Sequence, residues 1–288
     1  MNVVRVWIDT DCALGAERGD VDDAFAIAAV VRNPRVELLG VSTVFGNSSA
    51  AGAVRHVERL LTEAGVDGVP VLAGAQRAGG SSESVARRLV ELPEETRVLA
   101  LGPLTNLANA QKLDAQWSRR IGRIAVVGGR PASRGPVPPW WPHEFNLTKD
   151  LAAAQSCFEH WIQADLWTLD VVCGLRLGQR DLERIGAASA LGAYLYEGSR
   201  RWLRRSRWLL RSGFALWDVP PALDLEEPRA AELAPAQVCL TARGCVRVRT
   251  APESRWRVSR RLDAAAQLAA LERALARPAL AAVTSASR

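Results

Sequence analysis

The sequence predicts an α/β protein, built as an open, mostly parallel, Rossmann-like sheet with helices on both faces. Short β-branched apolar runs alternate with helical stretches through the first half of the chain, and that alternation is the mark of parallel strands joined by covering helices. Polar and glycine-containing segments follow directly after the apolar runs. In open sheets of this kind, that is the carboxyl edge where ligands bind. With 48% hydrophobic and 24% charged residues in 288, the chain carries enough apolar surface for a large core. No repeat or linker divides it, so residues 1–288 read as one domain.

Taken in order, "VVRVWI" reads as a buried strand and "DDAFAIAAVVRN" as a helix with acids in its first turn. "VELLGVST" is a strand, and "SSAAGAVRHVERLLTEAG" a helix with serine caps and a closing glycine. "VPVLAG" and "RVLALG" are strands, "TNLANAQKL" a helix and "IGRIAVVGG" a strand. Beyond residue 150, "KDLAAAQSCFEHW" is a helix, "QADLWTLD" a strand, and residues 180–211 are helical. "AQVCLTARGCVRVRT" reads as a hairpin turning at Arg243-Gly244. "DAAAQLAALERALAR" places Leu268, Leu271 and Leu275 on one helical face, a packing stripe. The proline-rich "GGRPASRGPVPPWWPHEFN" is long for a loop in a compact domain, which marks it as functional or disordered.

Composition narrows the function classes. No run of eighteen apolar residues predicts a membrane span, and the amino terminus lacks a charged leader with a cleavage site. Cys12, Cys157, Cys173, Cys239 and Cys245 are odd in number and show no paired metal-ligand spacing. Free thiols in a cytoplasmic protein are therefore expected. The net charge of +6 and pI near 9.5 permit anionic ligands without demanding them. The segment "SRRWLRRSRWLLR" reads first as a solvated helix face with Trp202 and Leu203, or Trp208 and Leu209, turned inward. Its sharper alternative is a phosphate site; the run is too short to bind nucleic acid alone.

The informative stretch is "VWIDTDCALGAERGDVDDAFAI", with Asp9, Asp11, Asp20, Asp22 and Asp23. If the strand continues, Asp9 and Asp11 point the same way, because the strand period is two. Asp22 and Asp23 then open a helix. Gathering carboxylates in one site is costly unless protons or a cation neutralise them, and an all-oxygen site suits Ca²⁺ or Mg²⁺. Helix-capping aspartates on a solvated loop are the plainer reading. A strand-end D-x-D followed by D-D at a helix start favours the metal.

These residues resemble the amino-terminal signature of the inosine–uridine-preferring nucleoside hydrolases. The resemblance continues in order through "VSTVFGNSS", "VLAGA", "LALGPLTNLA", "IAVVGG", "EFNLTKDLAAA", "LDV" and "WDVPPALDLEEP". It implies the nucleoside hydrolase fold and cleavage of the N-glycosidic bond of a ribonucleoside or related ribosyl compound, with Ca²⁺ as cofactor and a homodimer or homotetramer as assembly. Residue by residue, it implies that Asp11 binds the metal and activates water, and that Asp23, the Leu101 carbonyl and Asp218 complete the metal site. It also implies that Asp22, Asn47, Glu144 and Asn146 hold the ribose, with Phe145 between the last two. Asp9 stands behind the metal ligands.

Three departures accompany the likeness. "CALGAERGDV" separates Asp11 from Asp22, where the family has a compact D-P-G turn, and it adds Asp20. Trp217 occupies the place of a histidine that protonates the leaving base in many members. Tryptophan is a poor proton donor but can stack on a base, so His143 is the candidate substitute and Trp141 a candidate cover for the base. A sugar-contacting asparagine is replaced near Pro138. His56 and His160 read as structural. The alternatives are a catalytically altered relative that binds a riboside or nucleotide without cleaving it, and a metal-dependent phosphatase on the same switch point.

Overall fold

The computed structural model describes residues 3–17, 19–131, 144–210, 213–226, 228–242 and 244–279, without the side chains of 206–210 and 229. The chain runs through β1 (Val4–Thr10), α1 (Asp22–Val31), β2 (Val36–Thr43), α2 (Ala50–Glu63), β3 (Val71–Ala73), α3 (Glu83–Val90), β4 (Arg97–Ala100) and α4 (Thr105–Leu113). It continues through α5 (Trp117–Arg120), β5 (Arg123–Val127), α6 (Asn146–Lys149), α7 (Leu151–His160), β6 (Asp165–Trp167), α8 (Leu169–Val172), β7 (Arg176–Leu177) and α9 (Gln179–Ala188). The last elements are α10 (Ala190–Leu210), β8 (Phe214–Ala215), α11 (Val219–Asp224), β9 (Ala231–Leu240), β10 (Val246–Thr250), β11 (Arg257–Leu262) and α12 (Ala264–Ala276).

Nine strands form one sheet in the order β10-β9-β11-β6-β5-β4-β1-β2-β3. From β3 across to β11 the pairing is parallel; β9 and β10 add an antiparallel margin. The chain leaves β1 for β2 and β3 on one side, then crosses back to lay β4, β5 and β6 on the other. The β1/β4 boundary is therefore the switch point, where the loops after adjacent strands diverge and leave a crevice. Asp11 follows β1 at this boundary and Leu101 follows β4.

The strand period sets the two cores. Val6 and Ile8 face one cluster with Phe25, Ile27, Leu60 and Leu195, and Trp7 between them faces the other with Val98, Leu107, Trp117 and Trp161. α1 is buried along its whole length, as its near-continuous apolar sequence requires. α2, by contrast, buries only one face. Ser49 caps α2 by accepting from the Gly52 N–H at 3.1 Å, and Gly65 ends it with φ 65°.

The expected strands and helices are present, with adjustments, and α3, α5 and the paired β7 and β8 add to them. The helical span expected over residues 180–211 is described as far as Leu210 and consists of two helices, broken at Ser189, whose hydroxyl donates to Leu275 O at 2.8 Å and accepts from the Gly192 N–H at 3.0 Å. The strand in "QADLWTLD" stops at Trp167 and α8 begins at Leu169. β11 was not expected: "RVSRRL" is too charged to read as a strand, yet it pairs on both edges. Arg243 in the hairpin turn lies outside the described residues, while Gly244 holds φ 74° there. The five cysteines are free. No helix among the described residues is long and apolar enough to cross a membrane.

Trp117 is fully buried, donates from Nε1 to Leu89 O at 2.7 Å and meets Trp161 edge-on at 6.5 Å. Replacing it by alanine is expected to cost about 3–5 kcal/mol of stability through the cavity and lost packing, read as a lower urea midpoint. Trp117→Phe should cost clearly less.

Candidate active site

The site is assembled from loops at the carboxyl edge of the sheet. β1 ends at Thr10, one residue before Asp11. Asp11 turns into the loop after β2, where Oδ2 accepts from the Asn47 backbone N–H at 2.7 Å and Oδ1 from Asn47 Nδ2 at 3.2 Å. That approach needs glycine at position 46, since any Cβ there would overlap the Asp11 carboxylate. Asp9 takes a separate path: its Oδ1 accepts from Ser42 Oγ at 2.5 Å and Asn106 Nδ2 at 2.8 Å. The two aspartates thus share no partner, because the strand stops between them. Asp9 acts as an anchor beneath the site, tying β1 to β2 and α4.

Asp22 and Asp23 stand in the first turn of α1, and Asp218 at the N-cap of α11. These two helices pack together, and one oxygen from each of the three carboxylates lies within 4.8 Å of the others. The Asp218 N–H donates to Asp22 Oδ2 at 3.3 Å, and Thr10 Oγ1 donates to Asp23 Oδ1. Asp23 Oδ2 is buried with no hydrogen-bond donor among the described residues. Asp218 makes no capping bond to its own helix; its carboxylate faces the cluster instead.

Electrostatics show how tightly these acids are gathered. Burial raises Asp11 from 3.8 to about 7, with the charge of Asp22 adding to it. Burial likewise raises Asp22 to about 6. Asp23 is pushed well above the carboxylate range by burial and then by Asp11 and Asp22. Asp218 is pushed up by burial and then by Asp22, Asp23, Asp11 and Asp20. Segments more than 190 residues apart in sequence, as in the Asp22–Asp218 contact, thus repel one another in one buried place. The donor set is all oxygen, and one of its oxygens has no hydrogen-bond donor among the described residues. Such residues fit a hard divalent cation.

Above the acids lies a cavity of about 230 Å³, lined by Asp20, Asp22, Asn47, Leu101, Val127, Glu144, Phe145, Asn146, Leu169, Trp202, Arg205, Trp217 and Asp218. Asp22, Asn47, Leu101, Glu144, Phe145, Asn146, Trp217 and Asp218, singled out from the sequence, therefore meet in one place. Asn146 Nδ2 donates to Leu101 O at 2.9 Å and Val127 O at 3.2 Å, so the Leu101 carbonyl offers its remaining lone pair. Glu144 accepts from the Leu147 and Thr148 N–H groups at 2.6 and 3.1 Å; burial raises it to about 7. Asp11 and Asp23 lie behind the lining. The cluster of three mutually close carboxylates contains Asp22, expected as a sugar ligand, beside Asp23 and Asp218, while both Asp11 oxygens are engaged by Asn47. His143 and Trp141 lie outside the described residues.

Five lining residues were not among those assigned from the sequence: Val127, Leu169, Trp202, Arg205 and, as a cavity residue, Asp20. The inserted segment delivers Asp20 beside Asp22, with its N–H donating to Asn47 Oδ1 at 3.4 Å. Trp202 and Arg205 belong to the arginine-rich segment, three positions apart on α10. That spacing alone marks a shared helix face, but not which face meets the cavity.

A family model described as inosine-uridine preferring nucleoside hydrolase matches residues 6–268. The chain belongs to this family. Among similar proteins, uridine nucleosidase 1 of Arabidopsis thaliana is 30% identical over 63% of this chain and 61% of its own length. The pyrimidine-specific ribonucleoside hydrolase RihA of Citrobacter koseri is 28% identical over 58% of this chain and 62% of its own. The chain thus spans about three fifths of these curated relatives. A solved plant nucleoside hydrolase superposes with a TM-score of 0.84 at 22% identity, covering 96% of this chain and 99% of the other. The purine-preferring ribonucleoside hydrolase of Gardnerella vaginalis gives 0.83 at 18%, covering 94% and 98%. These two likenesses bear on the fold alone.

Acids raised by burial hold more protons in the folded than in the unfolded chain between their ordinary value of 3.8 and about 7. Their contribution to stability is therefore fully present below that window and lost as pH rises through it. The chelator-treated protein is expected to show a Tm that falls from pH 5 to pH 8. Saturating divalent cation should remove most of the fall, and parallel pH profiles with and without cation would contradict the cluster's role.

Proposed function

We propose that this protein is a calcium-dependent N-ribosyl hydrolase, cleaving the N-glycosidic bond of a ribonucleoside or related ribosyl compound to ribose and free base. The observation that carries this reading is the meeting of Asp22, Asp23 and Asp218 beneath a sugar-sized cavity, in a chain of the nucleoside hydrolase family. The names of the relatives make pyrimidine ribonucleosides the first substrates to try. The same reading gives a cytoplasmic purine or pyrimidine salvage enzyme, assembled as a homodimer or homotetramer.

A bound Ca²⁺ would supply positive charge that holds ribose hydroxyls and makes a nearby water easier to deprotonate. Asp11, Asp23, Asp218 and the Leu101 carbonyl are the proposed holders, and the closeness of Asp22 to Asp23 and Asp218 allows it to serve both ion and sugar. Asp11 takes the proton of the attacking water. Its place at the Asn47 N–H fixes which way the carboxylate faces. Asp22 accepts from the ribose hydroxyls, while Asn47, Glu144 and Asn146 hold the remaining sugar oxygens. The sugar is then fixed for attack, which removes much of the entropic part of the barrier. The transition state resembles an oxocarbenium ion, and the surrounding carboxylates stabilise its positive charge. Phe145 and Trp217 supply apolar and aromatic surface. Trp141 and His143, the sequence's candidates for base cover and catalytic acid, lie outside the described residues.

A second reading has its own observation. No histidine lines the described part of the cavity, and Trp217, the residue that the resemblance sets at the leaving-group position, lines it. A relative that binds a riboside without cleaving it would look the same there.

Calcium-dependent release of reducing sugar from a nucleoside panel tests the proposal. The wild-type protein should turn over at least one riboside with calcium and none after chelation. Asp11→Ala should lower kcat by roughly 10²–10⁴-fold, the usual loss for a positioned base. Calorimetric binding of a riboside without cleavage would establish the second reading instead. Gly46→Ala, which crowds the Asp11 carboxylate, should reduce kcat in the same assay and lower the urea midpoint, by about 1–3 kcal/mol of stability.

A further inference from the structure

Four acids line the described cavity, Asp20, Asp22, Glu144 and Asp218, against one base, Arg205. Arg205 sits one turn after Trp202 on α10, with its guanidinium carbon 5.7 Å from the Trp202 ring centroid. The ring thereby orients the cation. Farther back on the helix, Arg200 pairs with Glu197 at 3.0 Å. Arg205 pairs with no carboxylate among the described residues, so its charge is available to whatever occupies the cavity. The same Trp202 ring carries a buried Nε1–H without an acceptor among the described residues. Trp217 lines the wall beside Asp218.

Neither an indole nor a guanidinium gives up a proton near neutral pH, but both donate hydrogen bonds, and the guanidinium adds full positive charge. We propose that Arg205 stabilises the departing base as an anion, so that the described part of the site favours ribosides whose leaving group carries negative charge, such as pyrimidine-2,4-diones. This rests on the hydrolase reading above. In the step, the C1′–N bond breaks and its electron pair stays on the base nitrogen. The water oxygen bonds C1′ and its proton goes to Asp11. The base anion departs against Arg205 and takes a proton from solvent, and Asp11 returns its proton to solvent. The sum is riboside plus water giving ribose plus neutral base. Ribosides that are already cationic, whose base leaves uncharged, gain nothing from Arg205.

The test uses the calcium-loaded full chain with two probes: uridine, whose base leaves as an anion, and nicotinamide riboside, whose base leaves neutral. Arg205 is exposed, so Arg205→Gln should fold with an unchanged Tm. It should lower kcat on uridine by roughly 10- to 100-fold, less than the loss of a water-excluded oxyanion donor because Arg205 is exposed, with KM moving less than kcat. Arg205→Lys should recover part of that loss, and turnover of nicotinamide riboside should change by less than the uridine loss or not be detectable in either protein. Uridine turnover unchanged in Arg205→Gln overturns the proposal, as does equal loss on both probes or cleavage of nicotinamide riboside alone. It is also overturned if His143→Ala alone causes the uridine-selective loss and removes a limb of the pH profile, since a proton donor then does the work. Failure of the wild type on both probes and on the whole nucleoside panel fails the hydrolase reading itself, a result separable from the Arg205 outcomes.

Discussion

Burial of several carboxylates in one place, with their mutual repulsion added to it, governs this structure. Asp11, Asp22, Asp23 and Asp218 are each raised by burial and, for Asp11, Asp23 and Asp218, further by one another's charge. The fold must hold them together against that force until a cation or protons offset it. The opposite edge of the sheet shows the contrast. There Asp165, the first residue of β6, accepts a two-pronged contact from Arg257 at 2.7 and 2.6 Å and a third bond from Arg123 at 2.7 Å. Charge at the amino edge is matched by protein groups. At the carboxyl edge the acids outnumber any described partner, and that imbalance makes the edge a site.

Restraint of the cluster comes from polar side chains packed around it. Thr10 holds Asp23, Asn47 holds Asp11, and the Asp9–Ser42–Asn106 contacts lock the strand ends from which these loops spring. Asn106 also donates to Thr43 O at 3.0 Å and accepts from the Ala75 N–H at 2.9 Å, so one side chain ties the ends of β1, β2 and β3. Gly74 leaves room for it, since a Cβ there would overlap its amide. Fixed dipoles and fixed backbone of this kind keep the acids oriented without reorganisation during a reaction. α1 contributes a further constraint: buried on all sides, it cannot shift Asp22 and Asp23 without disturbing the core.

Much of this was legible in the sequence because strand and helix periods differ. "VELLGVST" and "TNLANAQKL" match β2 and α4 residue for residue, since each combines a clear period with clear boundaries. The site was legible because many of its residues cluster at strand ends: "DTD", "FGN" and "LGPLTN" land there, and "EFN" joins them from the start of α6. Asp9, read as standing behind the metal ligands, bonds Ser42 and Asn106; the alternation that would align it with Asp11 holds only while the strand continues. β11 was invisible because its stability comes from pairing on two sides rather than from apolar residues. Trp202 and Arg205 were visible as an amphipathic arginine run, but which face of α10 meets the cavity depends on tertiary packing that local sequence does not encode. Asp20 arrived with an inserted segment, whose path is set by contacts with Asn47 far along the chain.

Calorimetric titration of calcium into chelator-stripped protein, repeated in buffers of different ionisation enthalpy, tests the central claim most directly. The account predicts one ion per chain, bound with release of protons from the raised carboxyls, and binding abolished in Asp23→Asn and in Asp218→Asn. Absence of calcium binding, or binding that survives both substitutions, would contradict it.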